Sequence, residues 1–537
     1  MRMMLSKNNN QEKEFLTDLG RGIFLKLTKE FEDFIGLELS ADHKARIDAE
    51  LALIEQEFFD GLDKAYEIAE KSFENGYCNK ARMRYYNPEM DSKLKELSQT
   101  WPNAAEAFVI GGLLFKNQIA GIKNLYGLDE TAGAIIDVLG SATSIALGAH
   151  NPYTTVFDRI EDALKVRDNI CTAYHPGIRQ LFFLNKISKL YPCTAKTAVS
   201  VHSESSGAIV DSIAIESALA YIEKHKGSLE ARVLAVDGTW AGSYGASREA
   251  TGFGVSDFGM KRSQKALFID RCLTSPTKNN KDLFLSMLKS KIDNNLAAGL
   301  YIEPDIIGDS GIELVDPEVL REALFILREH RLPVIADCVQ QLGRTGSYWG
   351  ENVESILKGY PWLIVTTAKS ASNGQAFGYT IMPKEIADCA YPLSQLSTNQ
   401  FNGPLLRAVA VSEIMSDGRF QNWLCAKGEK IAEIADKYNI SSGENGLRGK
   451  FMNRAVYVES NDNVKLVQIA LLVEDGILIG ALPQSLRYQP MLLDYSSTNE
   501  LVAQIIFRRV NEIMKGNISQ TVKEIFDKTQ GASGLAR

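Results

Sequence analysis

Two charged residues each end an apolar run that is typical of a buried strand. Asp337 ends LPVIAD and Lys369 ends WLIVTTAK, with enough sequence between them for a loop and a helix. If both runs are strands of one parallel sheet, the two side chains lie at the carboxyl ends of the strands, where such sheets bind ligands. Burying either charge alone is costly, so a ligand that binds both would explain their positions.

The pair suits the chemistry of pyridoxal phosphate. A lysine amine forms an imine with the aldehyde of this cofactor, and an aspartate keeps the pyridine nitrogen protonated so that the ring accepts electrons. An ordinary salt bridge, or two exposed charges at strand ends, would explain the same two residues. The choice between these interpretations therefore depends on the loops around them.

Two loops contain residue types that suit a phosphorylated, aromatic ligand. In HSESSGAIVDSIAIESALAY, a Ser-Ser-Gly turn separates a strand-like run from a helix, and the N–H groups of a helix N-terminus bind phosphate. Ser and Gly also begin many helices as simple caps. In ARVLAVDGTWAGSYGAS, Trp240 follows a strand-like run, where its indole either stacks on a flat ring or packs in the core.

The elements that position these residues alternate along the chain. Strand-like runs such as TAVSVH and ARVLAVD are separated by stretches of helical period such as DSIAIESALAYIEKH and DPEVLREALFILREH. This alternation predicts an α/β fold with a mostly parallel central sheet and helices on both faces. We place this large α/β domain at residues 106–414.

Different patterns flank the large domain. Residues 1–105 show amphipathic helical periodicity, with Ser40 where an N-cap would begin a second helix, so we predict a helical N-terminal extension. Residues 415–537 contain a helical stretch, strand-like pieces and a closing helix. This order predicts a smaller C-terminal α+β domain.

Composition narrows the choice of partners. The chain has 59 Lys and Arg against 67 Asp and Glu, a net charge of -8 without a basic stripe, which argues against nucleic acid and anionic membranes. Its seven cysteines form no CxxC pair, which indicates neither disulfides nor zinc. The N-terminus lacks the apolar stretch of a secretion signal, and AFVIGGLLF is shorter than the roughly 20 residues of a membrane span. We expect a cytoplasmic protein without a metal ion.

An ordered set of motifs resembles a known family. GLYIEPDIIGDSGIELVDPEVLREALFILREHRLPVIADCVQQLGRTG is similar to the central signature of class III pyridoxal-phosphate aminotransferases of fold type I. VLGSATSIALGAHNP, SSGA, TTAKS, STNQFNGP and SLRYQPMLL follow the order of the remaining family motifs. The resemblance covers about residues 106–530 and lies in the whole set rather than in any single motif.

The resemblance implies a homodimer with pyridoxal 5'-phosphate bound at the subunit interface. It implies that Lys369 forms the internal aldimine and moves the proton between the substrate and the cofactor, and that Asp337 pairs with the pyridine nitrogen. The other implied cofactor contacts are Ser206, Gly207 and Ala208 at the phosphate, Trp240 and Val339 at the ring, Gln340 near the phenolic oxygen, and either Thr398 or Asn399 at the phosphate of the neighbouring subunit.

Two arginines have different expected roles. By the resemblance, Arg487 binds a substrate carboxylate, for which its bidentate fork is suited, whereas without the resemblance it would be an ordinary surface charge. Arg344, within GRTG, is expected to be a structural anchor that donates hydrogen bonds to backbone carbonyls.

The sequence also departs from the family pattern. Cys338 stands where the family usually has glutamate, Trp240 stands where it has a stacking histidine, and Ile209 replaces an acidic residue after the phosphate turn. The loop EPDIIGDSG differs in length and polarity from the usual Glu-Pro loop. These changes affect the surroundings of the substrate more than the cofactor-binding pair.

The predicted function is the transfer of an amino group between an amine or amino acid and an oxo acid or aldehyde, through Lys369. A decarboxylase, an aminomutase or an enzyme that forms carbon–carbon bonds would use the same Asp337 and Lys369, and the altered loops motivate this alternative. A further alternative is a non-catalytic scaffold or binding module that docks a partner through its N-terminal helices.

Overall fold

The structure is a computed structural model that describes most of the chain. Every helix in the described part is too short or too polar to serve as a membrane span. The described residues are 2–75, 136–138, 144–148, 151–164, 177–193, 197–228, 230–252, 265–274, 277–390 and 404–529.

A seven-stranded sheet forms the centre of the molecule. Its strands are β2 (Val199–Glu204), β3 (Arg232–Val236), β4 (Ala266–Ile269), β5 (Ala297–Ile302), β8 (Val334–Asp337), β9 (Leu363–Ala368) and β10 (Gly378–Pro383). They lie in the order β2-β10-β9-β8-β5-β3-β4. Strand β10 is antiparallel to β2 and β9, and the other pairings are parallel, which confirms the predicted, mostly parallel α/β sheet.

The three central strands are buried along their whole length. All residues of β5, β8 and β9 are buried, because helices cover both faces of the sheet. The sequence shows this as continuous apolar runs rather than an alternation of apolar and polar residues. Strands of this kind direct their carboxyl ends to a common edge, where the charged residues Asp337 and Lys369 follow.

Helices surround the sheet, and local signals in the sequence fix several of their ends. Asp316 caps the helix that begins at Pro317, since its side chain accepts hydrogen bonds from two backbone N–H groups. The helices are α1 (Arg2–Ile35), α2 (Ala41–Asn75), α3 (Pro152–Leu164), α4 (Ile178–Ile187), α5 (Gly207–Lys226), α6 (Gly245–Ala250), α7 (Lys278–Asp293), α8 (Pro317–Glu329), α9 (Lys384–Ala387), α10 (Leu405–Ser416), α11 (Gly418–Lys437), α12 (Asn461–Ala470), α13 (Ser496–Met514) and α14 (Gln520–Thr529).

Smaller strands complete the architecture. Strands β11 (Leu447–Lys450), β12 (Asn453–Tyr457), β15 (Ser485–Tyr488) and β14 (Gly480–Leu482) form an antiparallel sheet in this order. Strands β6 (Ile306–Ile307) and β7 (Glu313–Leu314) form a short hairpin, and β1 (Ile136–Asp137) pairs with β13 (Ile477–Leu478).

Arg344 joins the loop after β8 to the C-terminal part of the chain. Its side chain is 1% exposed, and Nη1 donates to the carbonyl oxygens of Pro490 at 2.8 Å and Met452 at 3.5 Å. The prediction of a structural anchor that binds backbone carbonyls is confirmed.

The N-terminal helices pack onto the rest of the molecule. Helix α1 contacts α10, and helix α2 contacts α3 and α13. Ser40 caps α2 as predicted, because its hydroxyl oxygen accepts from the N–H of His43 at 3.2 Å. One continuous apolar core runs through all three predicted parts, so the domain boundaries at residues 105 and 414 remain predictions.

Candidate active site

Asp337 and Lys369 lie at the same edge of the central sheet. Their strands, β8 and β9, are parallel neighbours in which Asp337 is opposite Thr366. Lys369 directly follows β9 and begins a single helical turn, Lys369–Ser372. The structure therefore brings together the two residues that the sequence placed at strand ends.

The backbone at Lys369 is strained. Its φ angle of 50° lies in the left-handed region, which is unusual for a residue other than glycine and costs free energy unless the surroundings hold it. Asn373 supplies such support from the end of the same turn. Its Oδ1 accepts from the N–H of Leu147 at 2.8 Å, and its Nδ2 donates to the carbonyl of Gly148 at 2.6 Å.

Burial and neighbouring charges act in opposite directions on the amine of Lys369. Burial lowers the pKa of the ammonium group, and the nearby Arg487 lowers it further, whereas Asp309, Asp337 and Glu303 raise it. The net direction is downward. A larger fraction of Lys369 is consequently an uncharged amine at neutral pH than for an exposed lysine.

The carboxylate of Asp337 is held in a fixed orientation. Its Oδ2 accepts from the hydroxyl of Tyr301 at 2.5 Å, and its Oδ1 accepts from the N–H of Val339 at 2.8 Å. Burial raises the pKa of Asp337 to about 6, against the opposing effect of these two hydrogen bonds and of Lys369. At neutral pH this side chain is an oriented, buried anion.

A cavity of about 300 Å³ connects these elements. Asp211, Gly242 and Ser243, which no sequence pattern indicated, also line it. The predicted site residues in its wall are Ser206, Gly207, Ala208, Trp240, Val339, Gln340 and Lys369.

One end of the cavity is the N-terminus of helix α5. The first N–H groups of a helix have no intrahelical partner. Ser206 precedes this helix in an extended conformation, and its side chain does not cap these groups by a hydrogen bond. Two backbones approach closely there. A Cβ atom on Gly207 would lie 3.2 Å from Cβ of Ala368, and one on Gly242 would lie 2.6 Å from Cβ of Ala208. The result is a backbone-lined cradle that suits a phosphate group.

Trp240 and Val339 both lie in the cavity wall. Trp240 belongs to the loop after β3, which Thr251 holds in place because its hydroxyl oxygen accepts from the N–H groups of Ala241 and Gly242 at 3.1 and 3.0 Å. Val339 follows Asp337 by two residues and lies near Gly207. The contact of either side chain with the cofactor ring stays a prediction.

Arg487 is already paired with a carboxylate of the chain. It lies on β15 and forms a salt bridge with Asp309, which follows β6. Oδ2 of the same aspartate accepts from Nε2 of Gln340 at 2.9 Å. Nε of Arg487 and Oε1 of Gln340 have no hydrogen-bond partner within the described ranges, so both remain able to bind a polar ligand.

Several residues of the site were not selected from the sequence. Asp309 and Glu303 belong to the polar loop EPDIIGDSG, whose charges after a buried strand were a usable signal. Tyr301 and Asp211 gave none, because one lies within a strand-like run and the other within a helical stretch. Thr398 and Asn399 lie outside the described residues, so their contact with phosphate stays a prediction.

The family assignment follows from comparison with known proteins. The sequence model of the family described as Aminotransferase class-III matches residues 119–508. The chain belongs to the class III aminotransferase family. Class III aminotransferases use pyridoxal phosphate. The site fits this cofactor, since the cavity is lined by the amine of Lys369 and a backbone cradle at a helix N-terminus, and the oriented carboxylate of Asp337 ends the strand next to that of Lys369.

A curated relative supports the same family. The acetylornithine aminotransferase of Halalkalibacterium halodurans is 27% identical over 150 residues. The aligned region is 28% of this chain and 37% of the relative, so the chain matches little more than a third of that protein's length.

Solved structures show the fold. The ornithine aminotransferase of Toxoplasma gondii is 18% identical with a TM-score of 0.62, covering 73% of this chain and 90% of that one. The omega transaminase of Pseudomonas jessenii, solved in complex with PMP, is 15% identical with a TM-score of 0.62, covering 74% and 92%. The adenosylmethionine-8-amino-7-oxononanoate aminotransferase of Methanocaldococcus jannaschii has 15% identity and the same TM-score, covering 73% and 92%. The chain therefore has the fold type I architecture that its sequence predicted.

Proposed function

We propose that the protein is a pyridoxal-phosphate-dependent aminotransferase that transfers an amino group between an amine or amino acid and an oxo acid or aldehyde. The observation that carries this proposal is the placement of Asp337 and Lys369 at the ends of adjacent strands, with Lys369 in the wall of a cavity that the N-terminus of α5 also lines. Family membership favours this reaction over decarboxylation, aminomutation, carbon–carbon bond formation and a scaffold role.

The residues around the cavity have separate roles in holding the cofactor. When bound, pyridoxal phosphate supplies a carbonyl carbon that reacts with amines and an aromatic ring that delocalises negative charge. The backbone N–H groups of Gly207 and Ala208 would bind its phosphate, and Asp337 would face its pyridine nitrogen. Tyr301 and the N–H of Val339 keep the Asp337 carboxylate in place, so the anion does not reorient during the reaction.

Lys369 is the proton carrier of the proposed mechanism. Its lowered pKa means that Nζ is present in part as a free amine. This amine would take up a proton from the carbon next to the substrate nitrogen and return it to the cofactor. The turn at Lys369–Ser372, tied down through Asn373, limits how far Nζ moves. Positioning of this one amine therefore supports both directions of proton transfer.

The substrate-binding region lies around Asp309. Arg487 is the cation predicted to bind a substrate carboxylate, and it must exchange Asp309 for the substrate to do so. An amine without a carboxylate can bind while the salt bridge between Arg487 and Asp309 stays intact. This arrangement supports substrates of both kinds at different stages of one reaction cycle.

The test is a product balance with purified protein loaded with pyridoxal phosphate. Amino donors are supplied singly with an oxo acid, and we expect the amino product to equal the carbonyl product formed from the donor. Lys369→Ala should lower the rate about 100-fold or more, because the proton carrier is lost. Lys384→Ala, which changes an exposed lysine at the start of α9, is the matched control and should leave the rate unchanged.

Other outcomes of this experiment contradict the proposal. Release of carbon dioxide without a carbonyl product would indicate a decarboxylase. Absence of a bound visible chromophore in both the unchanged protein and Lys369→Ala would indicate the scaffold alternative.

We also propose a cytoplasmic homodimer without nucleic acid or membrane partners. The predicted contact of Thr398 or Asn399 with a neighbouring subunit and the charge balance of the chain support this. Sedimentation analysis of the loaded protein should give twice the mass of 59.4 kDa. A monomer with full activity would exclude an active site shared between subunits.

A further inference from the structure

Asp211 is a buried carboxyl group at the cofactor cavity that the mechanism above does not use. It lies one turn after Gly207 on α5, so both residues face the same side of the helix. Its side chain lines the cavity and the residue is 2% exposed. Its Oδ1 has no hydrogen-bond partner in the part of the chain that the structure describes.

The charged and polar groups that act on Asp211 come from three central strands and the residues that follow them. Asp337 and Lys369 lie at the ends of β8 and β9, Glu303 follows β5, and Tyr301 lies on β5. Thr366 of β9 adds a hydroxyl group. Three buried carboxyl groups thus surround one lysine amine, and burying all three as anions would be costly.

The two aspartates differ in how their charge is supported. Asp337 receives hydrogen bonds from Tyr301 and from the N–H of Val339, whereas Oδ1 of Asp211 receives none. Burial, followed by the charge of Asp337, raises the pKa of Asp211 well above its usual range, against the opposing effects of the Thr366 hydroxyl and of Lys369. The same pattern, two carboxyl groups whose surroundings separate their protonation, assigns different roles to residues in other enzymes.

We propose that Asp211 is a positioning residue of the cofactor site that stays protonated, so that Asp337 is the single anion of the pair and Asp211 is a neutral hydrogen-bond donor beside it. This inference rests on the proposed cofactor site. Because Asp211 is neutral, it does not compete with Asp337 for a cationic ring. Because the side chain of Asp211 is polar, an apolar side chain at this position would not perform its role.

Cofactor affinity of the apoprotein tests this role without requiring turnover. The dissociation constant for pyridoxal phosphate is measured between pH 6 and pH 9 for the unchanged protein, Asp211→Asn and Asp211→Leu. Asp211→Asn keeps a neutral donor of nearly the same shape, and we expect its dissociation constant within about threefold of the original at every pH. Asp211→Leu should bind about tenfold more weakly, because the polar group that Asp211 offers to the bound cofactor is lost.

Two results of the affinity measurement would overturn the inference. If Asp211→Asn changes the affinity more than about tenfold or shifts its pH profile, Asp211 is ionised. If Asp211→Leu binds as well as the original protein, the carboxyl group has no role at the site.

An infrared measurement reads the protonation directly and does not depend on how Asp211→Leu folds. The difference spectrum between the unchanged apoprotein and Asp211→Asn at pH 7.5 should contain the carbonyl stretch of a protonated carboxyl group. A carboxylate band in its place would refute the proposal. The infrared measurement does not require that the protein binds pyridoxal phosphate. If the protein does not bind it, the proposed function is wrong, but the spectrum still reports whether Asp211 is protonated.

Discussion

At the scale of single residues, the site concentrates opposite charges where water is excluded. Lys369 faces Asp309, Asp337 and Glu303, and these carboxyl groups raise the pKa of its ammonium group. Burial and Arg487 lower that pKa. The charge state of one amine is thus set by four charged groups from three parts of the chain. Changing any of them alters the pKa of Lys369 and therefore proton transfer.

The pairing of Arg487 with Asp309 leads to a prediction about substrates. Arg487→Met should raise KM about tenfold or more for an oxo acid, because charge-assisted hydrogen bonds to its carboxylate are lost. Asp309→Asn should lower that KM, since the competing carboxylate is removed. Steady-state kinetics with an oxo acid and with an aldehyde that lacks a carboxylate provide the comparison.

The aldehyde is the control in this comparison. Neither variant should change its KM more than about twofold, since no carboxylate reaches Arg487. An equal loss for both substrates in Arg487→Met would show that the arginine only supports the structure.

The sequence predicted the two central residues of the site but not their partners. Asp337 and Lys369 were visible because each interrupts an apolar run at a strand end. Asp309 is separated from Arg487 by most of the C-terminal half of the chain, and their contact depends on how the antiparallel sheet packs against the hairpin of β6 and β7. Pattern within one segment carries no information about such packing.

At the scale of elements, the site depends on the close approach of the Trp240 loop to the start of α5. Gly242 has a φ of 134°, and a Cβ atom there would meet Ala208 at 2.6 Å from its Cβ and 3.0 Å from its Cα. The glycine therefore lets one backbone lie against the other at the proposed phosphate cradle. The sequence showed a glycine-containing loop and a helix start, but it did not show that the two would touch.

Gly242→Ala should weaken cofactor binding. The added methyl group pushes the loop away from α5, and we expect the dissociation constant for pyridoxal phosphate to rise about tenfold, with a loss of stability of about 1–3 kcal/mol. Equilibrium binding to the apoprotein and urea unfolding measure the two effects.

Gly227→Ala is the matched control at the opposite end of the same helix. Gly227 also has a positive φ, 65°, but a Cβ atom there would meet nothing within 4 Å. We expect a loss of stability of about 1 kcal/mol and no change in cofactor affinity. If both variants weakened binding equally, backbone strain alone would explain the effect, and the proposed contact between loop and helix would be irrelevant to the cofactor.

At the scale of the whole molecule, the N-terminal helices are joined to the body by charges as well as by apolar packing. Glu413 on α10 forms salt bridges with Lys26 of α1 and with Lys186 of α4, each at 2.7 Å. Lys186 also pairs with Glu30 of α1. The sequence predicted amphipathic helices here, but their attachment surface could not be predicted, because each partner lies in a different segment of the chain.

This network predicts a pH-dependent contribution to stability. Glu413→Gln should reduce the free energy of unfolding by about 1 kcal/mol at pH 7, a value kept small because part of the carboxylate is exposed. Burial raises the pKa of Glu413, but hydrogen bonds from Lys186 and Lys26 outweigh it, so the folded pKa lies below the ordinary value of 4.5. The contribution is therefore fully present above pH 4.5 and disappears as the pH falls through the folded pKa.

Urea unfolding of the two proteins at a series of pH values measures this contribution. The difference in unfolding free energy should be constant from about pH 5.5 to pH 8 and shrink below the ordinary glutamate pKa. Glu433→Gln is the control, because Glu433 pairs with Lys430 within one exposed helix face and joins no separate elements. It should leave stability unchanged. Two results would contradict this prediction: an equal loss of unfolding free energy in both variants, or a loss in Glu413→Gln that does not decrease in acid. Either result would mean that the charge of Glu413 does not attach the N-terminal helices and that apolar contacts of α1 and α2 hold them.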